Sequence, residues 1–148
     1  MIVHTVKVGK KVSIDNKNRD HKKIYVGCAE ADARYKEMLV YGRHRWELYT
    51  KPTIEFLTFD RNEDLEVAEC KTLIEERMSK ADGVMIIVTP NTIKDPLASL
   101  ELDYAITNNI PVVGIDIDKN SKEKKPDQLE GKMTTYGWEW FAEFINGL

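Results

Sequence analysis

Four short runs constrain this chain most: "KIYVGC" (23–28), "TIEFLTF" (53–59), "GVMIIVT" (83–89) and "PVVGIDI" (111–117). Each is rich in β-branched and apolar residues and too short for a buried helix, which is the pattern of strands covered on both faces. Between them the apolar residues recur at three- and four-residue steps. Ala31, Tyr35, Met38, Leu39, Gly42, Trp46 and Tyr49 form one stripe, and Val67, Cys70, Ile74 and Met78 form a second. "LASLELDYAITN" supplies a third helix, and "YGWEWFAEFING" a last one after a loop rich in Lys, Asp and Pro. Strands that alternate with helices require right-handed crossovers and a parallel sheet. The expected class is therefore α/β, a flavodoxin-like three-layer sandwich whose mostly parallel sheet has four or five strands and helices on both faces.

A chain of 148 residues holds one such domain with a core of its own. Residues 23–148 are assigned to it. Residues 1–22 read as an N-terminal extension, in which "IVHTVKV" and "KKVSI" suggest a hairpin and "DNKNRDHKK" a charged linker. The 22 basic and 25 acidic residues leave a net charge of −3, with no basic footprint for nucleic acid or an anionic membrane. No run approaches the roughly twenty apolar residues that cross a bilayer, and the N-terminus lacks the apolar stretch of a secretory signal. Cys28 and Cys70 have no metal-type spacing and fit reduced thiols. A soluble, cytoplasmic protein is expected.

Open parallel sheets bind ligands beyond the carboxyl ends of their strands. Four segments should meet there: residues 28–32, residues 59–62, residues 89–92 running into Asp95, and residues 116–118. Acids and small polar residues populate all four. Neither G-x-G-x-x-G nor G-x-x-x-x-G-K-[ST] occurs, so the usual dinucleotide and nucleoside-triphosphate cradles are absent from the sequence.

Within the third helix, steps of roughly 100° per residue gather Ser99, Asp103 and Thr107 on a solvent side. Leu97, Ala98, Leu100, Leu102, Tyr104, Ala105 and Ile106 fill the opposite arc, and Glu101 falls near its middle. An unpaired carboxylate there would cost several kcal/mol, on the order of the penalty for burying any lone polar group. Glu101 must either find a donor, such as Arg61, Tyr35 or a backbone amide, or line a crevice. In the crevice, partial desolvation raises its pKa and suits it to acid, base or cation-stabilising work.

The stretches "KIYVGCAEADARYKEML", "EFLTFDRNED" and "SKADGVMIIVTPNT", followed by "ELDYA" and "NNIPVVGI", resemble the TIR-like family of bacterial Thoeris anti-phage defence proteins. The likeness spans residues 23 to about 118, and the closing "GWEWFAEFI" also suits that family. It implies that Glu101 occupies the place of the family's catalytic glutamate. The implied reaction is cleavage of the nicotinamide–ribose bond of NAD+, giving ADP-ribose or a cyclic isomer used as a second messenger. NAD+ would be substrate, with no separate cofactor and no metal. The chemistry fits one acid: nicotinamide leaves as a neutral base, and a carboxylate stabilises the oxocarbenium-like ribose and orients its hydroxyls. The implied substrate-binding set is Cys28, Ala29, Asp32, Phe59, Asp60, Arg61, Asn91, Asp95 and Tyr104. The loop from Phe59 to Asn62 stands where such domains carry a loop that gates the pocket and mediates assembly, which allows self-association and a downstream effector that senses the product. Two positions depart from the pattern: Asp95 and Leu97 replace a serine and a tryptophan, and Gly27-Cys28 replaces a Ser-Phe pair.

The remaining residues have plainer explanations. "FDRNED" also reads as a polar loop with an N-cap at Asp64. Cys28 has no flanking His to activate it and fits a small core residue. His4, His21 and His44 receive no role. The pairs Asp116/Asp118 and Glu30/Asp32 fit surface solvation better than a metal. A receiver domain would need an acceptor Asp where Thr89-Pro90 stands. Two alternatives stay open, a non-enzymatic TIR-like assembly module and a nucleoside deoxyribosyltransferase-like enzyme. The second resemblance rests on the six-residue step from Asp95 to Glu101, although Leu97-Ala98 replaces its Gly-Thr.

Overall fold

The computed structural model describes residues 21–42, 49–61, 64–118, 122 and 124–148. The extension up to residue 20, with His4, and the positions of His44, Trp46 and Asn62 lie outside the described residues. Among the described residues five strands form one sheet: β1 (His21–Gly27), β2 (Thr53–Leu57), β3 (Gly83–Val88), β4 (Val112–Asp116) and β5 (Met133–Thr135). Their order is β2-β1-β3-β4-β5 and every pairing is parallel. Among the described residues four α-helices connect and cover them: α1 (Ala33–Tyr41), α2 (Val67–Met78), α3 (Pro96–Thr107) and α4 (Trp138–Asn146). This is the expected α/β class.

The period of two along each strand sorts its side chains between two cores. Tyr25, Val84, Ile86 and Val88 join Cys70, Ile74 and Met78 of α2 and Leu97, Leu102 and Ala105 of α3. Ile24, Val26, Met85 and Ile87 join Leu39 of α1 and Phe141 and Ile145 of α4 on the other face. All six residues of β3 are buried, which is why its sequence is an unbroken apolar run. Asn109, in the left-handed region at φ 55°, ends the α3 turn and sends the chain into β4. Among the described residues no helix is long and apolar enough to cross a membrane.

Several local expectations are corrected. β1 begins at His21, so His21 and Lys22 pair with Thr53 and Ile54 rather than lying in a linker. β5 occupies part of the segment read as loop; its "MTT" is too short and too polar to announce a strand. In α1 the inward residues are Asp32, at its N-cap, Lys36 and Leu39, whereas Ala31 and Met38 are exposed. That face looks partly onto the polar end of the sheet rather than onto its apolar middle, so polar side chains are the ones buried. α2 is capped by a reciprocal pair, Glu66 and Glu69, not by Asp64. Ile106, placed on the apolar arc of α3, is exposed. The closing aromatic stretch, by contrast, behaves as its helical spacing requires: Trp140 is exposed while Trp138 packs edge-on to Phe141, because the helix can turn only one of them to the sheet.

Candidate functional site

The strand order reverses direction between β1 and β3, and the residues leaving their carboxyl ends therefore flank the crevice that such sheets open. Pro96 at the first turn and Asp95 at the N-cap start α3 beside that point, and Glu101 lies in the second turn. Glu101 faces β1 and is only 4% exposed.

Tyr25 and Gly27 are two residues apart on β1 and project toward the same face. The Tyr25 hydroxyl donates to Glu101 Oε2 at 2.5 Å. Gly27 leaves the space that the carboxyl fills: a Cβ there would lie 2.6 Å from Oε1 and 2.9 Å from Ile86 Cδ1. Among the described residues Glu101 Oε1 is buried with no hydrogen-bond partner, although the Cys28 backbone lies near enough to favour the ionised form. Burial raises the Glu101 pKa to about 8, against the opposing pull of the Tyr25 hydroxyl, the Lys36 ammonium and the Cys28 backbone. The resting group is thus largely protonated at neutral pH, an acid with one oxygen tied and the other unsatisfied. Burial, together with Glu101, likewise pushes Tyr25 well above its usual value.

Around this acid the loops are tied by two tight links. Asp32 accepts from Thr89 Oγ1 at 2.5 Å and from Asn91 Nδ2 at 3.1 Å, joining the loop after β1 to the loop after β3. Asp95 accepts from the amides of Leu97 and Ala98 with one oxygen and from the Glu30 amide with the other. Thr92 finishes the β3 loop, accepting from the Thr89 amide and donating to the Ile87 carbonyl. The Asp32–Thr89 link is buried and the Asp95–Glu30 link exposed, and together they join the loop after β1 to the loop after β3 and to the start of α3.

The loop after β2 is held differently. Lys36 Nζ, buried beneath it, donates to the Phe59 carbonyl at 2.9 Å and to Asp60 Oδ1 at 3.0 Å. Arg61 reaches Glu30 at 3.4 Å. Arg77 donates to the Thr58 carbonyl and stacks over the Phe59 ring.

The expected site residues divide accordingly. Cys28, Ala29, Asp32, Asp95 and Asn91 gather at the β1, β3 and α3 edge beside Glu101, and Phe59, Asp60 and Arg61 form the adjoining β2 loop. Tyr104 stands apart, packed against the core between α2 and α3. Glu101 pairs with Tyr25, not with Arg61, which pairs with Glu30, nor with Tyr35, which takes a hydrogen bond from Arg34. Asp32 is not a solvated surface acid but a buried acceptor, and Asp116 is paired with Lys125 at 3.2 Å. The Cys28 thiol is pushed up to about 12 by burial, which keeps it protonated and unreactive. Tyr25 and Lys36 are the participants that sequence reasoning missed. The signal for the first was present: a hydroxyl within a wholly buried apolar strand needs a partner. Compared with known proteins, the sequence matches no family model and no curated protein.

Proposed function

We propose that the chain is a TIR-like NAD+ glycohydrolase or cyclase that breaks the nicotinamide–ribose bond with Glu101 and releases ADP-ribose or a cyclic isomer as a defence messenger for a downstream effector. One observation carries the proposal: a carboxyl group at the switch point of the sheet, held through one oxygen by Tyr25, with the other buried and unpartnered. A structural acid would have both oxygens satisfied. The unsatisfied one suits a group whose partner arrives with the substrate.

In the reaction the C1′–N bond breaks and its electron pair leaves with nicotinamide. The ribose carbon becomes cationic, and the ionised Glu101 stabilises that charge from a site poor in water. Water, or the adenine base for a cyclic product, then adds at C1′, and the added group loses its proton. Glu101 must be ionised for this work, so kcat/KM is expected to rise with pH through the region of its pKa of about 8. In the bound complex the nicotinamide cation favours the ionised form, so the corresponding rise in kcat is expected at lower pH.

Nicotinamide release from NAD+ by the purified protein and by Glu101→Gln tests the proposal. Loss of about 10³-fold or more in the variant is expected for removal of the main charge-stabilising group. Base exchange between deoxynucleosides without NAD+ turnover would instead support the transferase alternative, and silence toward both would support an assembly module.

A further inference from the structure

A dinucleotide brings a diphosphate to a crevice that is rich in acids. Glu30, Asp32, Asp60, Asp95 and Glu101 all border it, so an anionic ligand needs cations at a defined place. Two cations stand together on its β2 side. The Lys36 ammonium is largely buried, and it bonds the Phe59 carbonyl and Asp60. Its charge is felt at both Cys28 and Glu101, which puts it on the reacting side of the molecule. Arg61 lies on the same loop and pairs with Glu30.

The carboxylates that meet these cations are poor partners. Asp60 is 86% exposed and Glu30 56% exposed at the side chain, so each pair is screened by water and contributes little. A buried ammonium paired to a solvated carboxylate is under-compensated, and an ammonium offers three donors, of which two are used among the described residues. A phosphate brings more charge and more acceptor oxygens than the carboxylate it would replace. Both cations are therefore poised to exchange an internal carboxylate for a ligand oxyanion.

We infer that Lys36 and Arg61 form the diphosphate subsite of a nucleotide ligand, with Asp60 and Glu30 holding their places in the unliganded protein. This inference rests on the reading of the crevice as a dinucleotide site, but its test does not need turnover. Binding of ADP and of adenosine is measured by titration calorimetry on the full chain and on Lys36→Gln, Arg61→Gln and Asp60→Asn. ADP is expected to bind at least tenfold more tightly than adenosine, and Lys36→Gln and Arg61→Gln to remove most of that preference. Asp60→Asn, which removes an exposed competitor, is expected to tighten ADP several-fold while leaving adenosine unchanged. A purely structural role for Lys36 and Asp60 would not produce opposite signs in the two variants. If Lys36→Gln fails to fold, Arg61→Gln and Asp60→Asn carry the test, because both side chains reach solvent. Equal binding of ADP and adenosine, or an Asp60→Asn protein that binds ADP no better than wild type, overturns the inference. Nicotinamide release by wild type alongside those results would leave the proposed function standing without it, and the expected ADP pattern without release would do the reverse.

Discussion

Glu101 concentrates most of the chemistry in one side chain. Its pKa is raised from 4.5 to about 8 in the folded protein, so the native state holds a proton that the unfolded chain gives up. Stability is therefore highest below about pH 4.5 with respect to this group and falls as pH rises toward 8, by up to about 5 kcal/mol for a shift of this size. Glu101→Gln keeps an oxygen for the Tyr25 hydroxyl and removes the titration. Thermal melts are expected to show it more stable than wild type at and above neutral pH, with a flatter dependence; a wild type whose midpoint ignores pH in this range would show that the acid is not desolvated. Tyr25→Phe removes a donor that favours the ionised form, so the rising limb of the kcat/KM profile should move to higher pH. Gly27→Ala drives a methyl against Oε1 and Ile86 and should cost roughly 1–3 kcal/mol. In a Glu101→Ala background the cost should shrink, and a double-mutant cycle by chemical denaturation reads the difference. At this scale Glu101 was legible because an acid interrupts an apolar arc. Its partner was not, since the search for a donor went to Arg61 and Tyr35 while the pleat of β1 had already aligned Tyr25 and Gly27 with it.

At the scale of elements, the site depends on how helices begin. Asp95 caps α3 and also holds the Glu30 amide, so Asp95→Ala should lose about 1–2 kcal/mol in denaturant melts, with most of the loss recovered in Asp95→Asn. Equal stability of Asp95→Ala and wild type would mean that these links are not made in solution. The four long apolar runs and the stripes of α2 and α3 were readable, because burial on a sheet leaves an unbroken pattern in sequence. α1 was misread for the opposite reason. Its inner face spans the end of the sheet, where Asp32 and Lys36 meet Thr89, Asn91 and Asp60, and a period of exposed apolar residues took the place of the true one. β5 left no trace because three residues at an edge need little apolar surface.

Across the whole molecule, alternation of strands and helices was enough to give the parallel sheet and to locate the crevice before any side chain was placed. What alternation could not give is which loops are tied to which. That follows from partners distant in sequence: Asp32 with Thr89, Asp95 with Glu30, Lys36 with Asp60. The first two tie the loop after β1 to the loop after β3 and to the start of α3, and the last ties α1 to the loop after β2.

The most direct measurement is nicotinamide release from NAD+ by wild type and Glu101→Gln, followed from about pH 6 to about pH 9. Release that climbs with pH in wild type and is absent in the folded variant is the expected result. Release by Glu101→Gln at the wild-type rate, or none from wild type anywhere in that range, would contradict glycosidic-bond cleavage by this carboxylate.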